Sequence, residues 1–470
     1  MAFNHGVRTQ ETATSLIATK TDSITPFYVG TAPINMCEKQ NINTPVLCYS
    51  YEEAVKEFGF VRDFENYTLC EAMDAHFSKF GVGPIVLVNV LDPKTHKKTK
   101  QDENVPFLED KTAVIKELGV IASSLKITPT ITYVTEFDEN GYLKIIQTGE
   151  EEVSGNKLSV TYDHLDPSVI KNTDIVGGID PSSGAKKGLE CISTVFPKYR
   201  LVPNLVLAPK WSTDSTVAAV METKASLING HFKGFALVDI DTKTVTKYSD
   251  AVKHKNDNNL ISTYLEVCYP KVKLGDIQYH LSTQIACLIQ SLAAENDGIP
   301  YKSPSNEGIK ADSTCLASGE EVFLGLDEAN YLNENGITNA INWINGWVAW
   351  GNRTGCYPGV TDPKDNFIVS RLMFNFLTNS LVQTYWQKVD NPTNKNLITT
   401  ITDSVNIWLN GLTAAGMIIG GRVEFREEDN PVTSLIDGKI KFKLYFSPAL
   451  PAEDICFDLE IDTKYYNNLF

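Results

Sequence analysis

The chain has no C-x-x-C pair, no H-x-x-x-H or H-E-x-x-H, and no G-x-S-x-G. Those gaps remove the local signatures of structural zinc, metalloprotease zinc and the hydrolase nucleophile elbow. The seven histidines (His5, His76, His96, His164, His231, His254 and His280) are scattered, so a metal site or triad would have to be assembled by the fold. Nine cysteines at wide spacings (Cys37, Cys48, Cys70, Cys191, Cys268, Cys287, Cys315, Cys356 and Cys456) make neither a disulfide framework nor a zinc cluster, and free thiols suit a reducing compartment. Basic residues are outnumbered: 42 Lys and Arg face 58 Asp and Glu, a net charge of −16. That balance argues against nonspecific nucleic-acid binding and against an anionic membrane surface, and its ordinary meaning is solubility. Long apolar runs are also lacking. The stretch from Leu412 to Gly421 is about half of a bilayer span. The start, Met1-Ala2-Phe3-Asn4-His5, lacks the basic and apolar segments of a secretory signal.

What is present is a chain of 470 residues, 42% apolar and 21% charged, long enough for two to four domains. Residues 1–24 are polar and threonine-rich, readable as a disordered terminus or as an extended arm; Val7 to Lys20 fully extended reaches about 45 Å. From Ile24 to Asp92 the pattern is α/β. Phe27-Tyr28-Val29-Gly30 predicts a strand, Tyr51 to Phe58 and Thr68 to Phe80 helices, and Pro84 to Val90 a buried strand. The basic run Lys94 to Lys100 predicts a solvated loop. Ile127 to Val134, Leu143 to Gln147 and Lys157 to Tyr162 then predict short strands between turns. The α/β pattern resumes at Gly188 to Phe196, with strands at Asn204 to Pro209, Phe235 to Asp239 and Ile261 to Val267, and helices at Asp214 to Asn229 and Leu281 to Ala294.

One turn tempts. Gly177-Gly178-Ile179-Asp180-Pro181-Ser182-Ser183-Gly184-Ala185-Lys186-Lys187-Gly188 resembles a phosphate cradle, but its glycines are too far apart and no Lys-Ser or Lys-Thr follows Gly184. A structural turn is the stronger reading. The acidic run Glu424 to Asp429 lacks the alternate-oxygen spacing of a calcium loop, which leaves a solvated face or intersubunit salt bridges.

The last third organises the chain. A capped helix is expected from Leu326. Trp343, Trp347 and Trp350 fall at helical spacing and predict a packed core. A helix from Asp365 to Leu381 turns Ile368, Leu372, Phe376 and Leu377 inward. A second, from Lys395, carries Leu397, Ile398, Ile401, Val405, Trp408 and Leu412 on one face, with Asn391-Pro392-Thr393-Asn394 as its start signal. The period then switches to two. Lys439 to Ser447 and Ile455 to Ile461 predict strands, the second with Ile455, Phe457, Leu459 and Ile461 on one face. Pro448 and Pro451 between them disfavour a tight hairpin, so the last strand is expected to leave its neighbour.

Several ordered motifs resemble the contractile tail sheath proteins of bacteriophages and related bacteriocin-like injection particles. They are Trp343-Ile344-Asn345-Gly346-Trp347 with Trp350-Gly351-Asn352-Arg353-Thr354; Ile407-Trp408-Leu409-Asn410-Gly411-Leu412; Arg422-Val423-Glu424-Phe425 with Glu427-Glu428-Asp429-Asn430-Pro431; and Asp437-Gly438-Lys439-Ile440-Lys441-Phe442. Pro451-Ala452-Glu453, His5-Gly6-Val7-Arg8, Val29-Gly30-Thr31-Ala32-Pro33, Pro197-Lys198-Tyr199 and Tyr279-His280-Leu281-Ser282-Thr283 also fit. The resemblance spans the chain except roughly residues 97–172.

It implies a multidomain α/β (α+β) fold with a mixed-sheet core. On this reading residues 1–24 form an extended arm, 25–96 plus 176–325 a sheath core, 97–175 an inserted β-rich outer domain, 326–450 an α+β assembly domain facing the tube, and 451–470 a strand arm. Gly6, Val7, Arg8, Ile455, Phe457, Leu459 and Ile461 would link subunits. Trp347, Arg353, Trp408, Arg422, Glu424, Glu427 and Glu428 would serve the C-terminal assembly domain. The implied function is structural: a helical homo-oligomer around a tail tube that contracts to drive the tube through a target envelope. Tail tube, baseplate and tail terminator proteins are the expected partners, with no cofactor, metal, nucleic acid or membrane bound by the chain itself. Assembly is expected in the bacterial host cytoplasm, for a virion tail or released particle. The alternative from another class is a hydrolase or other enzyme acting on an envelope polymer.

Overall fold

Continuous apolar runs such as Phe27-Tyr28-Val29 and Ile85 to Val88 are the pattern of strands covered on both faces, and they build the central sheet. The computed structural model describes residues 24–469. The strands of this sheet are β1 (Thr25–Gly30), β2 (Val46–Cys48), β3 (Ile85–Asn89), β4 (Pro203–Leu207), β5 (Phe235–Asp239), β6 (Leu265–Cys268), β7 (Ile337–Trp343) and β8 (Gly346–Trp350), in the spatial order β8-β7-β6-β5-β4-β1-β3-β2. The six inner strands are parallel. The outermost, β2 and β8, run antiparallel to their neighbours. Strand order reverses direction at β1, as in doubly wound sheets. Helix α1 (Leu281–Glu295), buried over nearly its whole length, packs on this sheet. Because β7 and β8 lie downstream of residue 326, the sheet crosses the boundary expected between core and C-terminal domain.

Local expectations divide. The helix Tyr51–Phe58 forms as read, with the Ser50 side chain accepting the Glu53 N–H. Thr68–Met73 is α-helical and then widens into a π turn over Asp74–Phe80. The strand expected over Ile261 to Val267 is shorter and later, Leu265–Cys268. The basic run is not a loop: Lys97 opens a ten-residue strand, Lys97–Pro106, paired with Lys157–Leu165. Its lysines meet carboxylates, Lys97 with Asp163 at 2.5 Å and Lys98 with Asp166 at 2.7 Å. That strand and its partners enclose a core of their own, including Val105, Ile115, Leu143, Ile145, Leu158, Val160 and Tyr162. The strand expected from Ile127 to Val134 is split at the cis Thr128–Pro129 bond into Lys126–Thr128 and Tyr133–Phe137.

The tryptophan stretch is a hairpin, not a helix. Trp343 pairs with Gly346 and Asn342 with Trp347, leaving a two-residue turn of Ile344 and Asn345. Gly346 takes φ +85, a left-handed backbone that suits glycine. In a strand a spacing of three puts Trp347 and Trp350 on opposite faces, and Trp343 at the tip is 55% exposed. The packed tryptophan core predicted from helical spacing is therefore corrected.

Beyond the sheet, α2 (Ile368–Tyr385) and α3 (Lys395–Ala414) form the next layer. Asn394 caps α3 by accepting the Leu397 N–H. Above them stands a two-stranded antiparallel sheet, β9 (Ile418–Phe425) and β10 (Phe442–Pro448). Val423, Phe442, Leu444 and Phe446 face a second core with Met373, Phe376, Leu377, Val405, Trp408, Leu409 and Leu412. Sequence reading gave β10 its alternation but missed β9.

Candidate assembly surface

The two-stranded sheet is held from below by both helices. On the β9 side, Val423 N–H donates to Asn406 Oδ1 and Asn406 Nδ2 donates to Val423 O, at 2.8 and 3.2 Å. Gly421 allows close approach there, since a Cβ would stand 3.2 Å from Phe446 and 3.3 Å from Leu409. On the β10 side, the Phe374 and Phe446 rings meet at 4.4 Å. Phe374, Leu377 and Leu381 of α2, with Ile419, Leu444 and Phe446, line an open cleft of about 780 Å³. Ile419 is largely exposed within it. In the single chain, β9 and β10 pair only with each other, so each has an unpaired edge among the described residues.

The outer face of this sheet is charged. Arg422 lies over the Tyr445 ring at 4.4 Å and pairs with Glu424 at 2.6 Å. Arg426 pairs with Glu428 at 2.9 Å and with Asp429, while Lys441 reaches Asp429 at 3.0 Å. Glu427 is exposed in the same turn. Trp408, by contrast, is buried in α3 with its ring 6.1 Å from Phe376, so it supports the surface from beneath. Trp347 is half-buried against the main core.

Arg353 lies apart from these, where the chain leaves β8. Its guanidinium sits 3.8 Å from the Phe367 ring centre and 4.5 Å from that of Tyr357. Nη1 donates to Asn366 Oδ1 at 2.9 Å, and Nε donates to Glu453 Oε1 at 2.8 Å while Nη2 takes the other carboxylate oxygen. From Ala452 to Tyr466 the chain is solvent-exposed. Ile455, Phe457, Leu459 and Ile461 are 69, 82, 96 and 75% exposed. The strand predicted over Ile455 to Ile461 pairs with no strand among the described residues. Gly6, Val7 and Arg8 lie outside the described residues.

A second cluster occupies the carboxyl ends of β4 and β5, where doubly wound sheets commonly bind ligands. His280 Nε2 accepts the Lys210 N–H at 3.1 Å. A backbone N–H can only donate, so the imidazole is neutral and its Nδ1–H donates to Glu71 at 2.7 Å. Ser282 N–H and Oγ both donate to Asp239, whose carboxyl is pushed up by burial. Both His280 ring nitrogens are engaged and neither bonds a serine hydroxyl. This is a network that ties helix α1 to strand β5, and its signal, Tyr279-His280-Leu281-Ser282-Thr283, is visible in sequence while its partner Glu71 lies 209 residues away. No helix among the described residues is long and apolar enough to cross a membrane, and no group of three or more His, Cys, Asp and Glu among them could hold a metal ion.

A doubly wound core carrying a separate two-layer platform and a free terminal segment has the build of a structural assembly protein. Known proteins narrow the class. No family model matches. The chain is 27% identical to the tail sheath protein of Burkholderia phage BcepMu over 488 aligned positions, covering 99% of this chain and 98% of that one. It is 32% identical to the major tail sheath protein of Serratia phage KSP20 over 36% of this chain and 42% of the relative. Among solved structures, the helical sheath of the anti-feeding prophage in its contracted state matches with a TM-score of 0.60 at 16% identity, over 98% of this chain and 100% of that one. The sheath of the PVC extracellular contractile injection system, also contracted, matches at 0.59 and 15% identity over 99% of both chains. Along nearly its whole length the chain is similar in sequence to a contractile tail sheath protein, and its fold is that of solved contractile sheath subunits.

Proposed function

We propose that the chain polymerises helically around a tail tube, and that the sheath contracts to drive the tube through a target cell envelope. The observation that carries this reading is the pairing of two incomplete parts. One is an exposed segment with apolar residues at every second position, Ile455 to Ile461. The other is a two-stranded sheet with unpaired edges beside an apolar cleft. A second copy completes both by strand addition, in which main-chain hydrogen bonds give affinity and alternate side chains give specificity. Such a link is head-to-tail, which generates a helix when rotation does not close. Residues 1–24 serve as the second linking arm in this reading.

Tail tube, baseplate and terminator proteins are the further partners, with assembly in the host cytoplasm. A chain of the solved anti-feeding prophage baseplate shares this fold, which supports the baseplate partner. The enzyme alternative lacks a comparable observation, since His280 spends both ring nitrogens on internal bonds. Electron microscopy of the purified chain is the test. Hollow sleeves are the expected result, and a monodisperse globular particle at all concentrations overturns the proposal.

A further inference from the structure

The arm needs more than a free strand. For exchange along a polymer it must leave the body in one direction, and a floppy exit would spend the binding free energy on ordering the chain. The structure shows where the arm stops being part of the body. Pro451 is partly covered, and every residue from Ala452 to Tyr466 is exposed. Among the described residues, Glu453 is the last whose side chain is tied to the body. Its carboxylate takes two parallel N–H donors of Arg353, a bidentate pairing that fixes orientation as well as distance.

Arg353 is itself held from every side. Phe367 and Tyr357 contact the guanidinium, Asn366 accepts from its third nitrogen, and its main chain bridges to Phe367 just before α2. Only 15% of the arginine side chain is exposed. Lysine could supply the charge but not the fork or the planar stacking. Asn330, Glu334, Trp350 and Asn352 complete a cleft around Pro451, Ala452 and Glu453. Among the described residues, the pair with Arg353 is the side-chain ion pair that ties this exposed segment to the body.

We infer that the Arg353–Glu453 pair is the fixed pivot of the C-terminal arm, a positioning pair that sets the direction in which Ile455 to Ile461 is offered to a second copy. The inference rests on the strand-exchange reading above but concerns a different contact, made within one chain. Cys456 gives a direct probe, being the one exposed cysteine among the described residues. A fluorophore on Cys456 in the monomeric fraction, isolated by size exclusion, reports local mobility three residues beyond the pivot. Glu453→Gln should lower its anisotropy, and so should 1 M salt, while Arg353→Lys should fall between. The same Glu453→Gln chain, unlabelled, should form sleeves at least tenfold less efficiently. Glu453 is exposed, so this variant should fold normally by circular dichroism. Unchanged anisotropy in Glu453→Gln would sink the pivot whatever happens to assembly. Lower anisotropy with normal sleeves would show a contact that does not position the arm, and would overturn the proposal equally. Failure of strand exchange itself is read separately, from substitutions at Phe457.

Discussion

Thr338 Oγ1 donates to Glu266 Oε1 at 2.9 Å, across the junction of β6 and β7 in the middle of the central sheet. The other carboxyl oxygen of Glu266 is buried without a partner. An ionised carboxylate there would be half-solvated by one hydroxyl, so burial pushes its pKa up to about 8 from 4.5. The folded chain therefore keeps a proton that the unfolded chain releases.

The sign of the pH effect follows. Below 4.5 both states hold the proton and the stabilisation is complete. It is lost as pH rises from 4.5 to about 8. The gap corresponds to a loss on the order of 5 kcal/mol. Glu266→Gln keeps an acceptor for Thr338 and removes the titration. Thermal unfolding of the variant should be flatter than wild type between pH 5 and 9, with a higher Tm at pH 9. Parallel curves for the two proteins would show that Glu266 does not titrate in that window.

The glycine-rich turn gives a second prediction. Gly178–Ile179 pairs with Lys186–Lys187, and the Asp180 carboxylate accepts the N–H groups of Ser182 and Ser183 and the Ser182 hydroxyl. A phosphate would need those donors, and a carboxylate already holds them. Lys186 points to Ser193 Oγ at 2.6 Å. Ser182→Ala and Lys186→Ala should leave assembly unchanged and shift stability by less than about 1 kcal/mol each. Isothermal titration with ATP should show no binding by the wild type; saturable binding abolished by either change would make the turn a nucleotide site.

The β-rich insertion gives a third. Lys97 pairs with Leu165, and Asp166 N–H donates to His96 O, so the two ends of the excursion lie side by side. Leu165, Ile170 and Ile175, however, belong to the main core. Joining His96 to Leu165 through a short Gly/Ser bridge, which removes residues 97–164, should give soluble protein that still forms sleeves. Removing 97–175 takes those three core side chains away, at roughly 2–5 kcal/mol for a large buried side chain, and should give aggregated or unfolded chain. Insoluble product from the shorter deletion would mean that the excursion is needed by the core.

These outcomes also measure how much the sequence disclosed. Where periodicity and burial agree, elements were legible: Phe235–Asp239, Leu143–Gln147 and the inward face Ile368, Leu372, Phe376 and Leu377 of α2 all formed as read. β9 was not, because Ile418-Ile419-Gly420-Gly421 follows helix α3 after only the short turn Ala415-Gly416-Met417 and its two glycines depress strand character; Gly421 is required by contacts on α3 and β10 that no local window contains. The tryptophans misled for a related reason. Spacings of four and three fit one helical face, but the turn Ile344-Asn345 and Gly346 decide for a hairpin. Of the assembly residues, Arg353 proved to be joined to Glu453, 100 positions away. Motif reading could mark each of them but could not pair them.

The last prediction concerns Phe457, on which strand exchange depends. In the isolated chain its side chain is 82% exposed, and Leu459 beside it is 96% exposed. Four apolar side chains at alternate positions of a seven-residue segment are costly to leave in water, and all four stand exposed among the described residues. Extended, the segment spans about 23 Å, enough for several ladder hydrogen bonds on an open strand edge. Its apolar side would cover the cleft floored by Phe374, Leu377 and Leu381 in a second copy. Burying one aromatic ring of roughly 150 Å² or more yields about 4 kcal/mol at 25 cal/mol per Å². Ordering the arm costs on the order of 1–2 kcal/mol per residue, so one contact alone is marginal and removing its largest ring should tip the balance. Phe457→Asp should therefore abolish sleeves seen by electron microscopy and leave a monomer whose Tm matches the wild-type monomer within about a degree. Phe457→Leu should retain sleeves in reduced yield. An unfolded Phe457→Asp monomer would place this ring in the subunit's own core, and normal sleeves from it would exclude the exchanged strand.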